Sequence, residues 1–175
     1  MADAKKFNLT DGQRAERKML ITVAEWQDSE GKAVREVLGT RTEDSSIEYN
    51  PDISTMTDIR GINYTDMNKT QPQQSFDPFL ILGGSKLGEK LNDIRRRNAV
   101  SELNAFTMYI ITAFVGEKGQ YEAEMHKHCT ITYESFGGQD FVNFPITVYY
   151  SNDSETGTVD KLGDDFKFTA DVSVG

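Results

Sequence analysis

The 175-residue sequence predicts a mostly β chain: an antiparallel β-sandwich or part-open barrel with one flanking α-helix and a long protruding β-hairpin. Three observations predict it. Runs of two-residue apolar period recur along the chain, separated by turn-forming clusters such as DSEGK, GEKGQ and SNDSETG. A helical period occurs once, in SKLGEKLNDIRRRN. The stretch from 44 to 78 alternates like a hairpin of about 30 residues, which in isolation is marginal in water.

Residues 1–17 are polar and mixed in charge, and are expected to form a mobile arm or a segment ordered by a partner. Residues 18–175 read as a single domain. KMLITVAEW (18–26) is a strand with apolar residues on both faces, and Ala33 to Leu38 returns beside it until Gly39. In the long hairpin Ile47, Tyr49, Ile53 and Ile59 alternate with Glu48, Asp52 and Asp58, giving one apolar and one acidic face. Gly61 centres the turn, and Ile62, Tyr64 and Phe76 rejoin the apolar face.

The helix spans 85–97. Leu87, Leu91 and Ile94 form its apolar stripe, Ser85 is the expected N-cap, and Arg95 to Arg97 oppose the dipole at its end. Residues 105–115 are apolar on both faces: Phe106, Met108, Ile110 and Phe114 on one, Tyr109, Ile111 and Val115 on the other. Such a strand is central. From Tyr121 to Ser135 the alternation directs Tyr121, Ala123, Met125, Cys129, Ile131 and Tyr133 inward. Glu122, Glu124, His126, His128 and Glu134 then face outward. Val142, Phe144, Ile146, Val148 and Tyr150 share a face, with Pro145 marking an edge or bulge. Thr158 to Leu162 is a short strand, and Asp164 to Val174 closes the domain.

Formal net charge is −9, from 28 acidic and 19 basic side chains, with acidity strongest in 43–66 and after 151. That balance opposes a phosphate-gripping surface. No run has signal-peptide or transmembrane character, and the single Cys129 suits a reducing compartment. The four N-x-S/T matches, at Asn8, Asn63, Asn68 and Asn152, carry no weight without a secretion signal.

Motifs of chemistry are sparse. GGSKLGEK (83–90) departs from a P-loop, since Glu89 follows Gly88 and Leu91 fills the Ser/Thr slot after Lys90. His126 and His128 share a strand face with Glu124, but Cys129 falls on the opposite face and no third His exists. Neither a nucleophile elbow nor H-E-x-x-H is present. The expectation is a non-enzyme without metal or cofactor. Arg95 to Arg97 read as dipole complement or partners of nearby carboxylates before nucleic-acid contacts.

Two segments carry a resemblance: EYNPDISTMTDIRGINYTDMNKTQPQQSFDPF with the helix after it, and CTITYESFGGQDFVNFPITVYYSNDSETGTV. Their order, turns and composition resemble the major tail tube proteins of long-tailed bacteriophages, particularly of Gram-positive hosts, across residues 18–170. The first looks like that family's stacking hairpin, the second like its closing strands. The resemblance implies a phage tail tube fold and a structural virion protein. Six-membered rings would stack into a hollow tail tube that conducts DNA to the host cell.

It further implies that Ile47, Tyr49, Ile53, Ile62 and Tyr64 contact neighbouring subunits through the hairpin. The implied partners are sister copies, the tape-measure, terminator and baseplate or tip proteins, and double-stranded DNA in transit, with no membrane. The implied location is the virion tail, reached from the host cytoplasm during assembly. In a tube, Glu48, Asp52, Asp58, Glu122, Glu124 and Glu134 are lumen candidates; by alternation alone they face either a channel or bulk water. A carboxylate lining repels phosphates within about 8 Å at physiological ionic strength. The alternatives are the tube of a contractile tail or phage-derived bacteriocin, a single-ring tail-completion or tip protein, or a soluble β-sandwich binding module. The hairpin and both chain ends are expected to be loose in the monomer and ordered on assembly.

Overall fold

The computed structural model describes residues 5–172. Its elements in chain order are β1 (Leu20–Gln27), β2 (Ala33–Val37), β3 (Ile47–Glu48), β4 (Asp52–Thr57), β5 (Asn63–Lys69), β6 (Gln73–Phe76), α1 (Lys86–Arg97), β7 (Phe106–Glu117), β8 (Gln120–Tyr133), β9 (Ile146–Tyr149), β10 (Ser154–Val159) and β11 (Phe168–Ala170). The chain is mostly β, and every strand pairing is antiparallel. Nine strands form one sheet in the order β2-β1-β7-β8-β9-β6-β3, with β10 and β11 branching from β8; β4 and β5 form a separate ribbon. Among the described residues no helix is long and apolar enough to cross a membrane.

The sheet turns on β8. Residues 121–126 of this strand pair with β10, and residues 130–133 pair with β9. Between them sits a bulge: Cys129 opposes Phe106 and His126 opposes Met108, so β8 carries one residue more than β7. His128 takes φ 56° there. The extra residue reverses the facing of everything after it. Cys129 and Ile131 therefore enter the main core, whereas Ala123 belongs to a second core on the other face. This corrects the expectation of a single alternation from Tyr121 to Ser135. It also buries His126, which was expected outside.

The main core joins Trp26, Phe76, Phe106, Met108, Ile131, Phe144 and Val148 with Leu87, Leu91 and Ile94 of α1. The second core, Val23, Tyr109, Ile111, Ala123 and Val159, lies under Phe166. β7 feeds both cores, as its two apolar faces require, up to a second irregularity between Thr112 and Gly116. Helix α1 starts where expected: Ser85 Oγ accepts from the Gly88 N–H at 3.1 Å. Glu36 of β2 adds two bonds, accepting from Ser85 Oγ at 2.9 Å and from the Leu87 N–H at 2.8 Å, so the sheet holds the helix by its positive end. Asn98 closes the helix in the left-handed region.

Three boundaries move. The strand expected at 158–162 is β10, Ser154–Val159, and takes in SETG from the expected turn. Gly157 is there because β11 passes close: a Cβ would lie 2.3 Å from the Thr169 carbonyl oxygen. The closing strand is only β11; Phe166 is buried before it, Val172 is exposed after it, and Val174 lies outside the described residues. Part of the N-terminal arm is fastened to β7. Phe7 bridges Val115, the Asn8 N–H donates to the Phe114 carbonyl at 2.9 Å, and Phe7 meets the Phe114 ring edge-on. These contacts lie within the segment expected to be a mobile arm or one ordered by a partner.

The α1 stripe is fully enclosed, so truncating it leaves a cavity under the sheet. Leu91→Ala is expected to destabilise the domain by about 2–5 kcal/mol, measured as a lower urea midpoint at unchanged slope.

Candidate assembly surface

The hairpin has two parts. Its root, β3 and β6, belongs to the main sheet, where Ile47 pairs with Gln74 and packs against the main core. Its outer part, β4 and β5, is exposed along every residue. Among the described residues neither edge of this ribbon has a third strand. Tyr49, Ile53, Met56, Ile59, Ile62, Tyr64 and Met67 all stand in solvent, Ile59 completely so. Six or seven residues at about 3.3 Å each carry it roughly 20 Å outward.

The turn that closes the ribbon repeats one that closes β1–β2. Asp58 Oδ1 accepts from the N–H groups of Arg60 and Ile62, at 2.8 and 2.9 Å. Asp28 Oδ1 does the same for Glu30 and Lys32, at 2.9 and 2.8 Å. In each, a left-handed glycine, Gly61 or Gly31, sends its N–H back to the aspartate carbonyl. The signature D-x-x-G thus encodes a three-residue loop.

That loop length corrects the expected faces. Asp58 closes on Ile62, so Met56 pairs with Tyr64 and Ile53 with Met67. Ile53 and Tyr64 therefore lie on opposite sides of the ribbon. A two-residue turn would have placed them together, as the sequence reading assumed. A second shift, one extra residue at Asn68, restores the phase at the root. The ribbon thus has an apolar patch near its base on one face, Ile53 with Met67. It has another near its tip on the reverse face, Met56 with Tyr64 and Ile62. Of the five hairpin residues singled out, Tyr49, Ile53, Ile62 and Tyr64 are exposed, and Ile47 is partly buried against the main core of its own molecule.

The six carboxylates have different local surroundings. Glu122 and Glu124 stand two residues apart on one face of β8. Glu124 accepts from or pairs with His126 Nε2 at 3.2 Å, and Thr112 Oγ1 donates to Glu122 at 3.2 Å. Asp58 serves the turn. Asp52 pairs across the ribbon with Lys69, Glu48 receives the Gln73 amide at 3.4 Å, and Glu134 is exposed beyond the end of β8. Among the described residues no three His, Cys, Asp or Glu side chains are grouped to hold a metal. His126 and His128 serve different acceptors, the latter Asp153 at 2.9 Å.

Under the hairpin root lies a polar group that sequence periodicity missed. Gln74 is fully buried; its Oε1 accepts from Thr22 at 3.0 Å and from Tyr150 at 2.7 Å, while its Nε2 has no partner. Burial raises the Tyr150 hydroxyl pKa. His126 packs edge-on against the Tyr150 ring. Its two ring nitrogens face two oxygens, the Ser151 carbonyl at 3.0 Å and Glu124 at 3.2 Å. Only the imidazolium can donate to both. Burial works to lower the His126 pKa, but the bonds to Glu124 and Ser151 and the Glu124 charge raise it above its ordinary value.

The sign of the linkage follows. A raised folded-state pKa gives stability that is complete below the unfolded value of about 6.5 and lost as pH rises through the folded value. The stability advantage of the wild type over His126→Gln is therefore expected to shrink as pH rises above about 6.5, read from urea unfolding at each pH. A pH-independent difference would show that the ring titrates alike in the folded and unfolded states, and an advantage that grows as pH rises would show that it is held neutral.

No protein-family model matches this chain, and no curated protein matches it.

Proposed function

We propose that this chain is a structural subunit that assembles with copies of itself into a hollow tube, as the major tail tube protein of a long-tailed phage. One observation carries the reading: a ribbon of about 20 Å, with unpaired edges and apolar side chains on both faces, projects from a domain whose own core is complete without it. Exposed apolar patches of this kind mark interaction surfaces. The antiparallel sheet, the flanking helix and the hairpin support the resemblance on which this reading rests. On this reading the nine-stranded sheet is a part-open barrel, and its free edges at β2, β3 and β11 join those of sister subunits in a ring. The net charge of −9 suits a bore that conducts DNA without holding it.

Negative-stain electron microscopy of the purified protein at rising concentration tests the reading. Hollow filaments of stacked six-membered rings are expected. A variant with residues 52–69 replaced by a short turn is expected to keep the wild-type urea midpoint and form no filaments. Monomers at every concentration would contradict the proposal, and single unstacked rings would favour a tail-completion or tip protein.

A further inference from the structure

Strand β7 carries an irregular stretch that its two neighbours leave uncovered. Thr112 pairs with Leu20 of β1 on one side and with Glu122 of β8 on the other. The β1 ladder ends there, and the β8 ladder resumes only where Gly116 pairs with Tyr121. Ala113, Phe114 and Val115 therefore have no partner in either ladder, although Ala113 and Val115 are buried. Backbone polar groups in such a place need partners from elsewhere. Residues 6–8 supply them. The Asn8 N–H donates to the Phe114 carbonyl at 2.9 Å, and the Gly116 N–H donates to the Lys6 carbonyl at 3.3 Å. The Asn8 side chain adds two more bonds: its Nδ2 donates to the Ala113 carbonyl at 3.0 Å and to the Gly116 carbonyl at 3.1 Å. A primary amide carries two hydrogens, and both are used. Gly116 shapes the slot: its φ is 89°, and a Cβ would lie 2.3 Å from the Gln120 carbonyl oxygen.

The segment that fills this slot is held from one side only. Lys5 to Asn8 are all exposed, and so are residues 10–18, which lead on to β1. Phe7 touches the Phe114 ring edge-on at 5.8 Å yet stays 68% exposed. A segment with few buried apolar contacts and solvent-facing bonds opens at the low end of a protein's range of local stabilities. We infer that residues 113–116 of β7 form a strand-accepting site for an extended Phe-Asn segment, and that residues 5–8 occupy it in cis as a displaceable guard. The backbone bonds give affinity for any extended segment. The asparagine gives selectivity, because its amide bridges the Ala113 and Gly116 carbonyls; an aspartate there would set a carboxylate against two carbonyl oxygens. While the guard is seated, this edge of the sheet is closed. Once it leaves, the edge is open to an extended segment of another chain. The inference does not rest on the tube proposal, and the two stand or fall separately.

The test uses the full chain and a fluorescent peptide of residues 5–11, KKFNLTD, read by anisotropy. In the wild type the guard competes in cis at about millimolar effective concentration. The double variant Phe7→Gly, Asn8→Gly is therefore expected to bind the peptide about tenfold tighter or more. The same peptide with Asn8→Asp is expected to lose about tenfold or more on that variant. Hydrogen exchange locates the contact: the bound peptide is expected to slow the Gly116 amide. In the wild type alone, the Asn8 and Gly116 amides are expected to exchange about tenfold faster or more than the Ile110 amide. Equal affinity of the two chains, equal affinity of the two peptides, or no binding to either chain would overturn the inference. So would Asn8 and Gly116 amides as slow as that of Ile110, a result that needs no variant and would show a guard that never leaves.

Discussion

One strand has to serve two sheets. β8 runs fourteen residues, pairs with β7 and β10 in its first part and with β9 in its last, and changes the face it shows to the core at the bulge before Cys129. Without that bulge Ile131 and Ala123 would point the same way, and either the main core or the smaller one would lose its centre. With it, the two limbs of the sheet enclose Phe76, Phe144 and Val148 on one side, and Tyr109 and Phe166 meet on the other. Helix α1 then needs only its three-residue stripe and the Glu36 clamp to close the main core.

A core completed in this way has no use for the outer hairpin. The last hairpin residues to touch it are Ile47 and Phe76 at the root. Beyond the root the ribbon is held by its own ladder, by Thr55 against Thr65 and Thr57 against Asn63, and by the Asp58 turn. These local bonds shape a ribbon but do not cover it. Its apolar side chains gain nothing from the fold of a single copy, so the stabilisation they hold is available only to contacts made later. The loop length sets how those contacts must be arranged. Because the Asp58 turn splits Ile53 from Tyr64, no single flat surface can cover the ribbon. On the tube proposal, neighbouring copies would take both sides.

Much of this was legible in residue order. The double-faced run from Phe106 to Ile111, the Leu87–Leu91–Ile94 stripe with Ser85, and the face from Phe144 to Tyr150 are each determined by local periodicity, which short-range backbone geometry enforces. Parity across turns was not legible in the same way. The hairpin faces were misjudged because Gly61 was read as a turn centre, although the D-x-x-G spacing shared with residues 28–31 carries the three-residue loop. The β8 bulge had no such signal: His128 takes a left-handed conformation without a glycine, because the register of β7 demands it. Gly157 was misread for the converse reason, since its missing side chain makes room for β11 and does not bend the chain. The Thr22–Gln74–Tyr150–His126 group depends on residues from four separate segments, and no single run displays it.

The claim at the centre is that residues 52–69 fold as an outgrowth whose cover comes from other copies. Amide hydrogen exchange over 52–69, compared between dilute monomer and assembled protein, addresses it directly. The account predicts fast exchange in the monomer against a protected β7 and β8, and strong slowing of both ribbon strands on assembly. Equal protection of the ribbon in the two states would contradict it.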